Sequence, residues 1–271
     1  DYNATLEGSS WDAYHRISPG GTSIEEIADT AGSAASVEIG HTQANSQRSA
    51  GAYLEKTFDV RRHSLGWPLG IRLSDQFFTS LSEISGRPMP LAIEEERGRL
   101  VDAYVDAHKY VAGKRAVVYG EPDLVLALAA FLGEIGIRPV VCATGSKVKN
   151  WRDLLAREVE GGVGDIEAVS GADHAKLSEY ARERKPDLLV GASKGYPLAR
   201  ELDIPLVRVG FPIHDRIGGE AVTILLHYPW PEEKSMFRVG RPFGGAVDAL
   251  IESLPENRRQ AGFDTAGTPF A

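Results

Sequence analysis

Five short runs between residues 113 and 210 decide the fold: RAVVY (115–119), RPVVC (138–142), IEAV (166–169), DLLV (187–190) and PLVRV (205–209). Each is largely apolar without the strict alternation of a half-exposed strand. Segments of helical period lie between them, at 124–135, 151–160 and 175–184, with Gly136 and Pro186 placed to end two of them. Continuously apolar strands alternating with helices predict a parallel sheet covered on both faces. The expected class is α/β, with Rossmann-like parallel sheets flanked by helices.

Working outward, residues 74–85 and 92–111 predict two helices separated by Gly86-Arg87-Pro88-Met89-Pro90, where two prolines remove donors. Ser74 is the expected N-cap of the first, and Gly113 the expected stop of the second. Further back, 24–31 reads as a helix, 36–39 as a strand and 46–58 as a helix. This pattern suits the trailing part of another α/β domain, so the expected division is 1–72 and 73–271. Beyond Gly218 the chain is rich in Gly and Pro until a helix-like stretch at 245–254, and the last residues read as loose. No internal repeat is visible.

Composition narrows the function classes. The 271 residues carry 30 Lys and Arg against 38 Asp and Glu, a net charge of −8, which argues against general nucleic-acid binding. The longest apolar run, Leu124 to Leu132, is too short for a membrane span. A single cysteine, Cys142, excludes an internal disulfide and fits a reducing, cytoplasmic setting. It also excludes an iron–sulfur or Cys-rich zinc site built from this chain alone. The chain opens on Asp1 with no basic-then-apolar leader and is expected to be part of a longer subunit.

Ligands of open α/β sheets bind beyond the carboxyl ends of the strands. Three loops qualify: Gly120-Glu121-Pro122-Asp123, Thr144-Gly145-Ser146-Lys147 and Gly191-Ala192-Ser193-Lys194-Gly195. None is a G-x-G-x-x-G or Walker loop, and their glycines also read as plain turns. The third matches G-x-S-x-G, the nucleophile elbow, with Asp203 and His214 following in triad order. The short segment after it, carrying Pro197, and the lack of an oxyanion loop oppose that reading. Lys194 and Arg216 read either as an anion clamp or as partners of Glu201 and Asp215. The seven histidines never fall at H-x-x-x-H spacing. Asp102 and Asp106 stand at i and i+4 on one helix face, where like charges repel unless a cation intervenes. They read either as a hard-metal site or as a solvated acidic face beside Arg99 and Lys109.

A set of ordered strings resembles one family. They are Ser82-Glu-Ile-Ser-Gly-Arg-Pro-Met-Pro90, Glu96-Arg-Gly-Arg-Leu-Val-Asp-Ala-Tyr-Val-Asp-Ala-His108, Gly113-Lys114 and Val118-Tyr-Gly-Glu-Pro-Asp123. Gly191-Ala-Ser-Lys-Gly195 and Ile204-Pro-Leu-Val-Arg-Val-Gly-Phe-Pro-Ile-His-Asp-Arg216 continue the series. Together they resemble the β-type subunit of nitrogenase component 1, from about Pro68 to Arg216 and more weakly back to Gly20. The resemblance implies a subunit of three Rossmann-like domains, of which this chain supplies part of the second and all of the third.

It further implies ATP-driven multi-electron reduction, with an α-type subunit, a second β-type subunit and an ATP-hydrolysing iron protein as partners. The cysteines of the family's bridging iron–sulfur cluster would lie outside this chain, and Cys142 would be structural. Asp102 and Asp106 would help bind a divalent metal, calcium or iron, where two β-type subunits meet. Two stretches depart from the family pattern: Ile217-Gly218-Gly219, where a His-rich stretch is usual, and Val239-Gly240-Arg241-Pro242-Phe243-Gly244. They leave two alternatives open, a reductase of a substrate other than dinitrogen and a scaffold for cofactor assembly.

Overall fold

The computed structural model describes residues 22–42, 46–159 and 164–210. The described residues divide into two compact units, 22–38 with 46–64, and 39–42 with 65–210.

In the first unit, helix α1 (Ile24–Asp29) starts from a capping box in which Ser23 and Glu26 satisfy each other's backbone N–H. A 3₁₀ turn, Thr30–Gly32, leads to strand β1 (Ala35–Ile39). Helix α2 (Ala50–Phe58) begins where the Ser49 hydroxyl accepts the Ala52 N–H, so the expected helix from 46 starts late. Strand β2 (Arg61–Leu65) pairs with β1. Its sequence, RRHSL, is too polar to announce a strand. Arg62 accounts for part of that polarity, lying 3.5 Å from Glu38 and 3.6 Å from Glu55.

The second unit is built on a five-stranded sheet of β3 (Arg115–Gly120), β4 (Arg138–Thr144), β5 (Glu167–Ser170), β6 (Leu188–Gly191) and β7 (Leu206–Arg208). The strand order is β5-β4-β3-β6-β7 and every pairing is parallel, as the apolar runs predict. Among the described residues it also holds helices α3 (Gly70–Ser85), α4 (Leu91–Val111), α5 (Pro122–Glu134), α6 (Trp151–Glu158), α7 (His174–Arg184) and α8 (Tyr196–Leu202). Side chains along β3 alternate between two cores. Ala116 and Val118 join the core that holds Leu100, Phe131 and Leu155, while Val117 and Tyr119 join the one that holds Leu177 and Leu198. Helix α5 is buried from Leu124 to Leu132, which is why its sequence is apolar all round rather than striped.

Two local features have sequence causes. Pro139 sits in β4, an inner strand, where it can donate no ladder bond. The register slips beside it, so that Ala116 faces Pro139 but Val117 faces Val141. Helix α3 starts at Gly70, not at Ser74 as expected. The carboxylate of Glu134 reaches over from α5 and accepts the N–H groups of Ile71 and Arg72, at 2.8 and 3.1 Å. Ser74 is left buried inside the helix. The break at 86–90 separates α3 from α4, with Gly86 left-handed at the end of α3. No helix among the described residues is long and apolar enough to cross a membrane.

Candidate functional site

The strand order reverses between β3 and β6, and the three loops singled out in the sequence meet beyond their carboxyl ends. They enclose an open crevice of about 330 Å³, lined by Gly120 and Glu121, Thr144 and Gly145, Asp173 and His174, and Lys194 among others. Its rim is of mixed charge. Asp173 is committed to capping α7, accepting the Lys176 N–H at 2.8 Å. The Thr144 hydroxyl accepts the Ser146 N–H at 3.3 Å. Lys194 is exposed and has no ion-pair partner among the described residues.

Tyr119 explains the glycines of the third loop. Its hydroxyl donates to the carbonyl of Ala192, and its ring meets His174 edge-on with centroids 6.1 Å apart. A Cβ at Gly195 would overlap the Tyr119 hydroxyl and stand 2.7 Å from Cζ, and a Cβ at Gly191 would overlap the Tyr119 carbonyl. The G-x-S-x-G spacing therefore seats an aromatic ring. Ser193 opens a 3₁₀ turn and is buried, whereas a nucleophile elbow presents its serine at the surface. Asp203 takes a left-handed conformation at the far end of α8. His214 and Arg216 lie outside the described residues.

Asp102 and Asp106 are both exposed on α4, away from its buried stripe of Leu100, Tyr104, Ala107 and Val111. Lys109 stands 3.6 Å from Asp106, a loose surface pair. The same outer side of α4 carries Leu91 and Val105, 68% and 69% exposed, and Gly98, whose Cβ would meet nothing within 4 Å. Carboxylate oxygens suit a hard divalent cation, and two of them form part of a coordination shell rather than a whole one. No group of three or more His, Cys, Asp or Glu stands ready for a metal among the described residues. Cys142 does not suit an iron–sulfur cluster. It is wholly buried on β4, and burial pushes its thiol up, away from the thiolate form that ligates iron.

A partly buried polar network has no local signature in the sequence. Glu134, besides holding α3, accepts the Tyr104 hydroxyl at 2.9 Å. Burial pushes its carboxyl up, partly offset by the N–H and O–H donors around it. Burial and the neighbouring Glu134 charge push the Tyr104 phenol up as well. Arg72 donates to the Glu158 carbonyl and carboxylate at 2.6 and 3.0 Å, and His41 lies 3.3 Å from the same carboxylate. Nearby, Asp123 accepts the N–H of Thr42 at 3.0 Å together with its hydroxyl. Partners 62, 81 and 86 positions apart leave no local pattern to detect.

Comparison with known proteins agrees with this architecture. The family model described as nitrogenase component 1 type oxidoreductase matches residues 6–225. The nitrogenase molybdenum-iron protein beta chain of Clostridium pasteurianum is 34% identical over 219 residues, covering 80% of this chain and 47% of that protein. The vanadium-iron protein beta chain of Trichormus variabilis is 34% identical over 207 residues, covering 73% and 44%. Among solved structures, nitrogenase Cp1 at pH 6.5 superposes with a TM-score of 0.77 at 29% identity, covering 99% of this chain and 55% of that one. The chain thus spans about half the length of the relatives it matches. By its matched sequence and its parallel sheet together, it belongs to the nitrogenase component 1 type oxidoreductase family, and its likeness there is to the β-type subunit.

Proposed function

We propose that this chain is the carboxyl-terminal part of a β-type subunit in a nitrogenase or nitrogenase-like reductase. Residues 1–72 are the trailing part of a preceding Rossmann-like domain, and 73–271 the last domain with its linking helices. The subunit works in the cytoplasm with an α-type subunit, a second β-type subunit and an ATP-hydrolysing iron protein. What carries this reading is the family match over residues 6–225. The iron–sulfur ligands of the assembled complex come from outside this chain, whose one thiol is buried and protonated. A cluster so held supplies electron storage, and this chain contributes no ligand to it.

The outer side of α4 is the proposed contact with the second β-type subunit. Exposed Leu91, Val101 and Val105 beside Gly98 offer a surface on which another helix can pack closely. Asp102 and Asp106 contribute carboxylate oxygens to one divalent ion there, which relieves their mutual repulsion and ties assembly to metal.

The test uses the complete subunit co-expressed with its α-type partner. Asp102→Asn and Asp106→Asn should each lower bound divalent metal and shift sedimentation from tetramer toward αβ dimer, with the circular dichroism spectrum unchanged. Unchanged metal content and unchanged sedimentation would remove the interface reading. ATP-dependent substrate reduction with the iron protein tests the activity separately, and its absence in a metal-replete tetramer would favour a scaffold.

A further inference from the structure

Arg115 and Arg138 open β3 and β4, and the parallel register sets them opposite each other. Residues so paired stand on one face of a sheet, and like charges there repel. Both side chains are exposed, and neither has an ion-pair or hydrogen-bond partner among the described residues. Two of the nearby carboxylates are engaged elsewhere. Asp187 accepts the backbone N–H of Arg115 at 2.8 Å and lies 3.6 Å from Lys114. Glu167 accepts from Arg184 at 2.9 Å.

The two arginines border an open crevice of about 550 Å³ at the amino-terminal edge of the sheet, opposite to the edge described above. Arg184 is a third guanidinium on its wall, fixed by the carbonyl of Asp165 at 3.1 Å. Asp165 is the one carboxylate among the described lining residues, and Gly113 and Gly136 bring no side chains of their own. The helices α5, α6 and α7 end at this edge, and their carbonyl ends favour a cation there. Because the whole chain is acidic, at −8, an anion held here must be held by local donors rather than by the overall field.

We infer that this crevice is a binding site for a phosphate-type oxyanion carried by a small molecule. Two adjacent guanidinium forks present parallel N–H donors to such a group, and an anion between them removes their repulsion. The volume lies in the range of small-molecule sites.

The experiment is calorimetric titration of the full chain with inorganic pyrophosphate, repeated with citrate as a polycarboxylate of similar charge. Pyrophosphate should bind the parent chain and an Arg200→Gln control alike. Arg115→Gln and Arg138→Gln should each weaken it by roughly tenfold or more, as expected for losing a charge-assisted hydrogen bond. Arg115→Lys and Arg138→Lys, which keep the charge but lose the fork, should fall between. Melting curves without ligand, matching the parent's, separate lost binding from lost folding. Failure of pyrophosphate to bind would overturn the assignment. So would binding that both Gln variants leave unchanged, or citrate binding as tightly as pyrophosphate.

Discussion

Gly195→Ala tests the claim that the third loop exists to seat Tyr119. Gly195 has φ −76° and ψ −5°, a conformation alanine adopts freely, so backbone strain cannot contribute. The cost must come from contact. The new Cβ overlaps the Tyr119 hydroxyl and stands 2.7 Å from Cζ and 3.2 Å from Cε1. Tyr119 is held on one side by the core, with Val117, Val141 and Leu177, and borders the open crevice on the other. If the ring turns away, it loses its bond to Ala192, about 1 kcal/mol, and leaves its rotamer at a further ~1 kcal/mol. If the turn moves instead, the bond from Gly195 N to Ala192 O, 3.1 Å long, breaks. Either route adds to overpacking, and the expected destabilisation is about 3 kcal/mol.

Urea unfolding followed by circular dichroism measures it, as a shift in midpoint at constant slope. Tyr119→Phe alone should cost about 1 kcal/mol, because the Ala192 carbonyl loses one of its two donors and keeps the Gly195 N–H. In the double variant the hydroxyl overlap is gone while the Cζ contact remains, so the combined cost should fall short of the sum by about 1 kcal/mol. A Gly195→Ala chain within about 0.5 kcal/mol of the parent would refute the reasoning. So would strict additivity.

Three further outcomes follow from groups that are buried or partly buried. Burial raises the Glu134 carboxyl above its unfolded value of 4.5, so the folded form holds the proton more tightly and loses stability as pH rises through the raised value. The stability of the parent relative to Glu134→Gln should therefore decline as pH rises above the unfolded value of 4.5, read from urea midpoints at each pH. Asp123→Ala should cost about 2–3 kcal/mol, since two donors of Thr42 lose a charged acceptor, and the Thr42 amide should exchange faster with deuterium. Cys142 should react with a disulfide reagent only as fast as the chain unfolds, because its thiol is wholly buried and held protonated.

The sheet was legible because parallel strands and their covering helices obey local rules. Strands buried on both faces leave unbroken apolar runs, and all five appear within two or three residues of where those runs lie. Helix starts depend on caps that an apolar period does not mark. Ser49 caps α2, whose helix is expected from 46, and Asp173 caps α7, whose helix is expected from 175. The start of α3 was misplaced to Ser74 because its cap is Glu134, a residue 62 positions away at the end of another helix. Strand β2 was missed for a related reason: its polar residues are stabilised by ion pairs across the unit, not by an apolar face.

Site residues divide along the same line. The sequence brought three loops to one end of the sheet because strand order and connectivity dictate where carboxyl ends lie. It could not say what their glycines were for. Gly191 and Gly195 match a nucleophile signature by spacing, yet the space they leave is filled by Tyr119, on a strand more than seventy residues earlier. A spacing motif records which positions must lack a side chain. Only the packed structure records what occupies the gap, and here the occupant is a ring with its hydroxyl already bonded. The Asp102 and Asp106 pair is the opposite case. Their spacing does fix geometry, since a helix puts i and i+4 on one side, and the structure adds that the side is exposed and flanked by unpacked Val105 and bare Gly98. A pair of like charges is stable on such a surface in water, and becomes costly when a second chain excludes that water. An interface built there thus needs a cation for the same reason that it needs the apolar residues. For that reason metal content and assembly state should change together in the Asn variants.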